Sequence, residues 1–381
     1  MAIDFEQARK LFPITENFAY FLANAKSPLP KPVADAAHEM IDQLASLAAI
    51  PMALSKPLID ETREKVARLI GCDADEVAFS RNTAEGVLWL AQSIPWKQGD
   101  EALLTRREYP SLVYPFLAQQ HYGMKVVLVE QDNRRITPEA IKKGITDRTR
   151  LVAVSWPQFD TGQRCDLKAI SEICHERDIV FLVDPIQCLG SIRLNVREMG
   201  IDCLSAGTHK ALLGLPGLGI FYCRKSLLEK LRPVHIGWGS LEKEIGNDYD
   251  TSSYDKEPAR GARRYEEGCK DLVGIAALNA GLSLIEEIGI DNIERRLKEM
   301  TDYLCEQAEA KGCEITSPRK GNEWSGIVLI RLPKQDPLDL AEELQGQSIL
   351  AHAMRGCLIT GLNFYNNKED VDRLMAHIEA G

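Results

Sequence analysis

The sequence has no excess of positive charge. Its 46 Lys and Arg stand against 56 Asp and Glu, a formal charge of -10. A nucleic-acid binder needs a basic face, so that class is set aside. No apolar run is long enough to span a membrane. The opening stretch, MAIDFEQARKLFPI, carries acids early and lacks an apolar core, which argues against a signal peptide. Ten cysteines are present, at 72, 165, 174, 188, 203, 223, 269, 305, 313 and 357, yet none forms C-x-x-C. A chain this long needs no disulfide staples, and no metal spacing is visible. The expectation is a reduced, cytoplasmic protein whose cysteines are mostly small core residues. Internal repeats and low-complexity tracts are also missing.

What remains is an ordinary globular composition, 45% hydrophobic and 27% charged. The 381 residues exceed the usual ceiling for one core and predict two domains.

Helical periodicity runs through residues 32–48 and 55–71, the second with Ser55 as a possible cap and Gly71 at its end. Strand-like runs occupy 76–80, 100–105, 125–130, 150–156 and 179–184, with two more in GIDCLSAG and GLGIFYC. Helical segments, RNTAEGVLWLAQSI and LKAISEICHERD among them, alternate with these strands. That alternation predicts an α/β fold with a mostly parallel sheet between helices. Ligands in such sheets bind at the carboxyl ends of the strands. Ser80-Arg81-Asn82-Thr83, Asp160-Thr161-Gly162, Asp184 and His209-Lys210 all fall at or just after predicted strand ends. Beyond about residue 225 the pattern changes. A polar stretch at 239–264 reads as a mobile loop, long helix follows, and the end alternates strands and helices as a small α+β unit.

A lysine in a closed pocket forms a Schiff base with an aldehyde cofactor. Pyridoxal phosphate (PLP) needs such a lysine, and an acid that keeps its ring nitrogen protonated. Lys210 and Asp184 suit these roles. RNTAEG, between a strand and a helix, suits a phosphate. Singly, each has a plainer reading: an Asp after a strand is a turn or cap residue, and a lone lysine is solvated. Their joint arrangement is the signal.

AFSRNTAEGVLWLAQSIPWKQGDEALLTRREYPSLVYPF, VSWPQFDTGQRCDLKAISEIC, VDPIQCLG and GIDCLSAGTHKALLGLPGLGIFYC, with RRYEEGCKDLVGIAALNAGLSLIEEIG and FYNNKEDVDRLMAHI, carry a family resemblance over nearly the whole chain. They resemble class V of the fold-type I PLP enzymes, closest to the isopenicillin-N-epimerase-like branch beside the cysteine desulfurases. The resemblance implies a large domain with a seven-stranded sheet (31–270), and a linking helix with a small C-terminal α+β domain (271–381). The N-terminal segment (1–30) would pack with the small domain. It also implies a homodimer with a shared active site, acting on a small amino acid or amine without nucleic-acid or membrane partners.

Roles follow position by position. Lys210 is implied as the Schiff-base lysine, and His209 as a phosphate contact. Asp184 pairs with the pyridinium nitrogen, and Gln187 bonds the ring hydroxyl. Thr83 and the backbone of Ala84 hold phosphate, and Tyr109 stacks on the ring. This chain departs from the family in places. Ala84 replaces a commoner threonine, which Thr208 could compensate. Cys269 stands where a Thr or Ser from the neighbouring subunit reaches the phosphate, and Ala211 replaces a tryptophan. Ile359 stands where the family has a carboxylate-gripping arginine. Arg355 is the replacement nearest in sequence, with Asn24 as a further substrate contact and Arg263 and Arg264 in reserve.

The implied activity is PLP chemistry through an external aldimine, as an aminotransferase, lyase, epimerase or cyclase. The alternatives are a desulfurase-type C–S lyase and a catalytically inactive binding protein. Cys357, inside the strand-like GCLIT and eight residues before Tyr365, leaves no room for a desulfurase's mobile cysteine loop. Retention of Lys210, Asp184, Gln187 and His209 argues against an inactive protein.

Overall fold

The central strands are continuous apolar runs, which suits parallel strands covered on both faces. The structure, a computed structural model, describes residues 4–47, 52–130, 134–242 and 257–381. Seven strands form one sheet: β1 (Val77–Ser80), β2 (Glu101–Thr105), β3 (Lys125–Val129), β4 (Thr149–Ser155), β5 (Val180–Asp184), β6 (Cys203–Gly207) and β7 (Gly219–Cys223). Their order is β1-β7-β6-β5-β4-β2-β3. Strand β7 runs antiparallel to both neighbours, and every other pairing is parallel. Each expected strand is present, within a few residues of its expected ends.

Helices Lys31–Leu47 and Met52–Ile70 pack against Leu272–Ile288 on one side of the molecule. Ser55 is not a cap. The helix already begins at Met52, in a run of good helix formers, and Gly71 follows its last residue with φ 74°. Among the described residues no single helix is long and apolar enough to cross a membrane. All ten cysteines are free, and eight are buried, as small core residues should be.

Toward the C-terminus, β8 (Glu314–Ile315), β9 (Ile327–Arg331), β10 (His352–Met354) and β11 (Cys357–Gly361) form an antiparallel sheet of order β10-β11-β9-β8. The N-terminal segment docks onto it. Ala19–Tyr20 pairs in parallel with Ile349–Leu350, and Ala23 N–H donates to Gly361 O at 3.2 Å. A Cβ at Gly361 would lie 2.4 Å from Asn24 N, so only glycine admits this approach. The segment expected to be a mobile loop lies in part, at 243–256, outside the described residues.

Candidate active site

All strands of the large sheet except β7 run the same way, so their carboxyl ends share one edge. Ser80, Thr105, Ser155, Asp184 and Gly207 end there. The connections that follow meet around a cavity of about 560 Å³. Asn24, Thr83, Ala84, Tyr109, Asp184, Gln187, His209 and Lys210 all line it.

One corner is built from β1 and the helix Thr83–Ser93. Asn82 caps that helix by accepting a hydrogen bond from Glu85 N–H at 3.0 Å. Thr83 Oγ1 accepts from Gly207 N–H at 2.8 Å, which leaves its hydroxyl proton free to be given elsewhere. Gly219 keeps the corner open, since a Cβ there would lie 3.0 Å from the Asn82 backbone. The backbone N–H groups of a helix start favour an anion. His209 stands beside this corner, its pKa lowered by burial and by Lys210 and Lys26.

Asp184 and Lys210 face the same cavity from successive strand ends. Asp184 is almost wholly buried, and burial pushes its carboxyl up to about 7. Ile186 N–H donates to its Oδ1 at 3.0 Å, but no described residue forms an ion pair with it. Burial pushes the Lys210 ammonium down to about 8, against the pull of Asp184. Its Nζ lies 6.0 Å from the centroid of the Tyr109 ring, which meets Phe159 edge-on. Gln187 Oε1 and Asn24 Oδ1 are buried without hydrogen-bond partners. An anion corner, an unpaired buried carboxyl, a lysine with a depressed pKa and two orphaned amide oxygens fit a phosphorylated pyridinium aldehyde.

Other expected residues are not brought to the cavity. Thr208 is fully buried and donates its hydroxyl toward Leu215 O (2.8 Å) and Leu218 O (3.1 Å), so it cannot replace the hydroxyl missing at Ala84. Arg263 Nη2 donates to Leu241 O, and Arg264 Nη1 to Leu228 O, both at 2.8 Å. Both guanidinium groups hold backbone rather than line the cavity. Cys269 is exposed and borders other recesses of this chain. Arg355 follows the cavity residue Met354 but turns to Asp160, which is fully buried. Arg107 Nη1 lies 3.9 Å from the same carboxylate, and Arg134 Nη2 donates to Asp160 O at 3.1 Å. Arg107, Arg134 and Arg355 all hold left-handed backbone, at φ 73°, 64° and 55°. The correction is electrostatic: a buried carboxylate takes the Arg355 side chain.

Two functional candidates escaped the sequence. Glu108, next to Tyr109 in sequence, is buried and accepts from Thr105 Oγ1 (2.7 Å), Ser155 N (3.1 Å), Ser155 Oγ and Gln158 Nε2 (2.7 Å). Its pKa is raised by burial, against those donors. It thus ties the Tyr109 turn to the end of β4. His352 lines the cavity from β10. Neither has a motif. For Glu108 the one available signal is an acid beside the ring-stacking position.

Known proteins similar in sequence and fold identify the family of the chain. An uncharacterized aminotransferase of Bacillus subtilis, YcbU, is 28% identical over 378 residues, covering 98% of this chain and 97% of its own. A probable cysteine desulfurase of Pyrococcus abyssi is 26% identical, with 98% and 96% covered. The apo cysteine desulfurase of Thermococcus onnurineus NA1 superposes with a TM-score of 0.87 at 25% identity, over 99% of this chain and 98% of that one. A mutant of the cystine C-S lyase C-DES, with glycine covalently linked to its PLP cofactor, has the same fold (TM-score 0.89, 21% identity, 98% and 99% covered). The family model for class V aminotransferases matches residues 19–374, and this chain belongs to that PLP-dependent, fold-type I family.

Proposed function

We propose that this enzyme acts on the primary amino group of a small amino acid or amine, with Lys210 as its covalent and proton-transferring group. The observation that carries this reading is that Lys210 and Asp184 face one cavity with their pKa values moved toward each other. PLP, when bound, supplies an aldehyde that condenses with amines and a ring that withdraws electrons. The chain's own groups do the rest. Lys210, its ammonium pushed down to about 8 by burial, would hold the aldehyde and would be the base that moves a proton at the substrate α-carbon. Asp184 would keep the ring nitrogen protonated, and a cation there would favour the ionised carboxyl. Thr83, the Ala84 N–H and His209 would hold the phosphate. Gln187 would meet the ring hydroxyl, Tyr109 would stack on the ring, and Asn24 would meet substrate.

Reduction of the purified protein with borohydride, followed by peptide mass spectrometry, tests the reading. Phosphopyridoxyl should appear on Lys210. Its recovery on another lysine, or on none, contradicts the assignment.

The names of several relatives favour a second reading, a cysteine desulfurase. Against it, Cys357 is fully buried at the start of β11, beside Thr316 Oγ1 at 3.7 Å. A tight turn at Arg355-Gly356 is all that separates it from β10. Epimerase, lyase, aminotransferase and cyclase chemistry all begin from the same bound amine, and the residues here serve each.

A further inference from the structure

Among the described residues lining the cavity there is no arginine. The small sheet forms the wall that faces the large-sheet residues, and its composition is unusual for an amino-acid site. His352 and Met354 alternate along β10, so they point to the same side, and both line the cavity. In antiparallel pairs, opposed residues share a face. His352 is opposite Ile359, Met354 is opposite Cys357, and Ile359 is opposite Leu329 on β9. Ile359, Cys357 and Leu329 are fully buried and pack together with Met354 at their edge. Arg355, next to Met354 in sequence, is held by Asp160. Among the described residues, His352 is therefore the one polar side chain that the strands of the small sheet bring to the cavity, beside Met354.

Its ring is not fully engaged. Nδ1 is buried and has no hydrogen-bond partner. A bare acceptor is tolerated in such a place better than an orphaned N–H, so the proton belongs on Nε2. That leaves Nε2–H as the ring's one donor, on a residue that lines the cavity.

We infer that His352 contacts the substrate, its Nε2–H donating a hydrogen bond to a carbonyl-type oxygen next to the amino-bearing carbon. The inference rests on the function proposed above and narrows its substrate class. A guanidinium fork gives a carboxylate two charge-assisted hydrogen bonds and thereby demands the charge. A neutral donor on an apolar wall asks only for an acceptor oxygen. The site then accepts an amide or ester about as readily as the free acid, and rejects an amine that lacks the oxygen. Burial lowers the pKa of His352, which agrees with a neutral donor.

The test uses the PLP-loaded protein and three probes that capture the cofactor aldehyde whatever the natural substrate is: aminooxyacetate, 2-aminooxyacetamide and O-methylhydroxylamine. The loaded protein must first show the visible band of covalently held cofactor. A protein without that band refutes the proposed function, and this inference with it. With the band present, the concentration of each probe that half-bleaches it is the readout. The acid and the amide should agree within about tenfold, and both should bind about tenfold more tightly than the methyl probe, the effect of one hydrogen bond left unmade. His352→Phe should weaken the acid and the amide by about tenfold and leave the methyl probe unchanged. His352→Gln, which keeps a donor, should recover part of the loss. A preference of about a hundredfold or more for the acid over the amide would overturn the inference. So would a His352→Phe protein with its band intact and unchanged affinities. If His352→Phe does not load cofactor, His352→Gln and His352→Ala decide by the same comparison.

Discussion

Asp184 sits in a cavity that resists its charge, and its ionisation should be visible in stability before any substrate is known. Its carboxyl titrates near 7 in the fold rather than near its ordinary value of 3.8. A raised pKa contributes stability that is complete below the unfolded value and is lost as pH rises through the folded one. The cofactor-free protein should therefore lose stability between about pH 4 and pH 7, by roughly 2–4 kcal/mol from this group. Asp184→Asn removes that cost while keeping an oxygen for Ile186 N–H. In the cofactor-free state it should melt a few degrees above the parent at pH 8 and level with it at pH 4. Equal melting at both pH values would show that the carboxyl ionises normally. With PLP bound the ranking should invert, because the variant loses the partner of the ring cation.

At the scale of elements, the small-sheet hairpin carries the argument about reaction type. Strands β10 and β11 are joined by Arg355 and Gly356 alone, both with positive φ. Cys357 opens β11 and faces the apolar cluster, so it cannot swing to a substrate without breaking the ladder. Cys357→Ser should cost roughly 1–2 kcal/mol by burying a hydroxyl that Thr316 only partly satisfies. It should leave turnover of any amino substrate within a few-fold. Incubation of the parent with L-cysteine should leave no persulfide on Cys357. Persulfide there, detected by alkylation and mass spectrometry, would restore the desulfurase reading.

For the whole molecule, the site of one chain lacks a hydroxyl at Ala84, and Thr208 is committed elsewhere. The exposed Cys269, in the segment RRYEEGCK, is free to approach a second copy's phosphate corner, as the family resemblance implies. We propose a homodimer with composite sites. Sedimentation should give a dimer in the loaded protein, and a monomer that holds PLP tightly would contradict the composite site.

The α/β class, the seven strands and the strand-end positions of Lys210, Asp184, Gln187, His209 and Thr83 were legible in the sequence alone. Buried parallel strands are continuous apolar runs, and the residues that leave them must emerge at one edge. Which of those residues meet was a tertiary matter. Arg355 is close in sequence to the expected clamp, yet a buried carboxylate 195 residues away takes its guanidinium. Thr208 has the right hydroxyl, but two carbonyls of the next turn claim it. Glu108 and His352 carry no motif: one matters because four donors converge on it, the other because strand pairing sets it against Ile359. Local pattern determines which element a residue occupies. Partners distant in sequence determine where its charge or hydrogen-bonding group is satisfied, and only the packed chain brings those partners within reach.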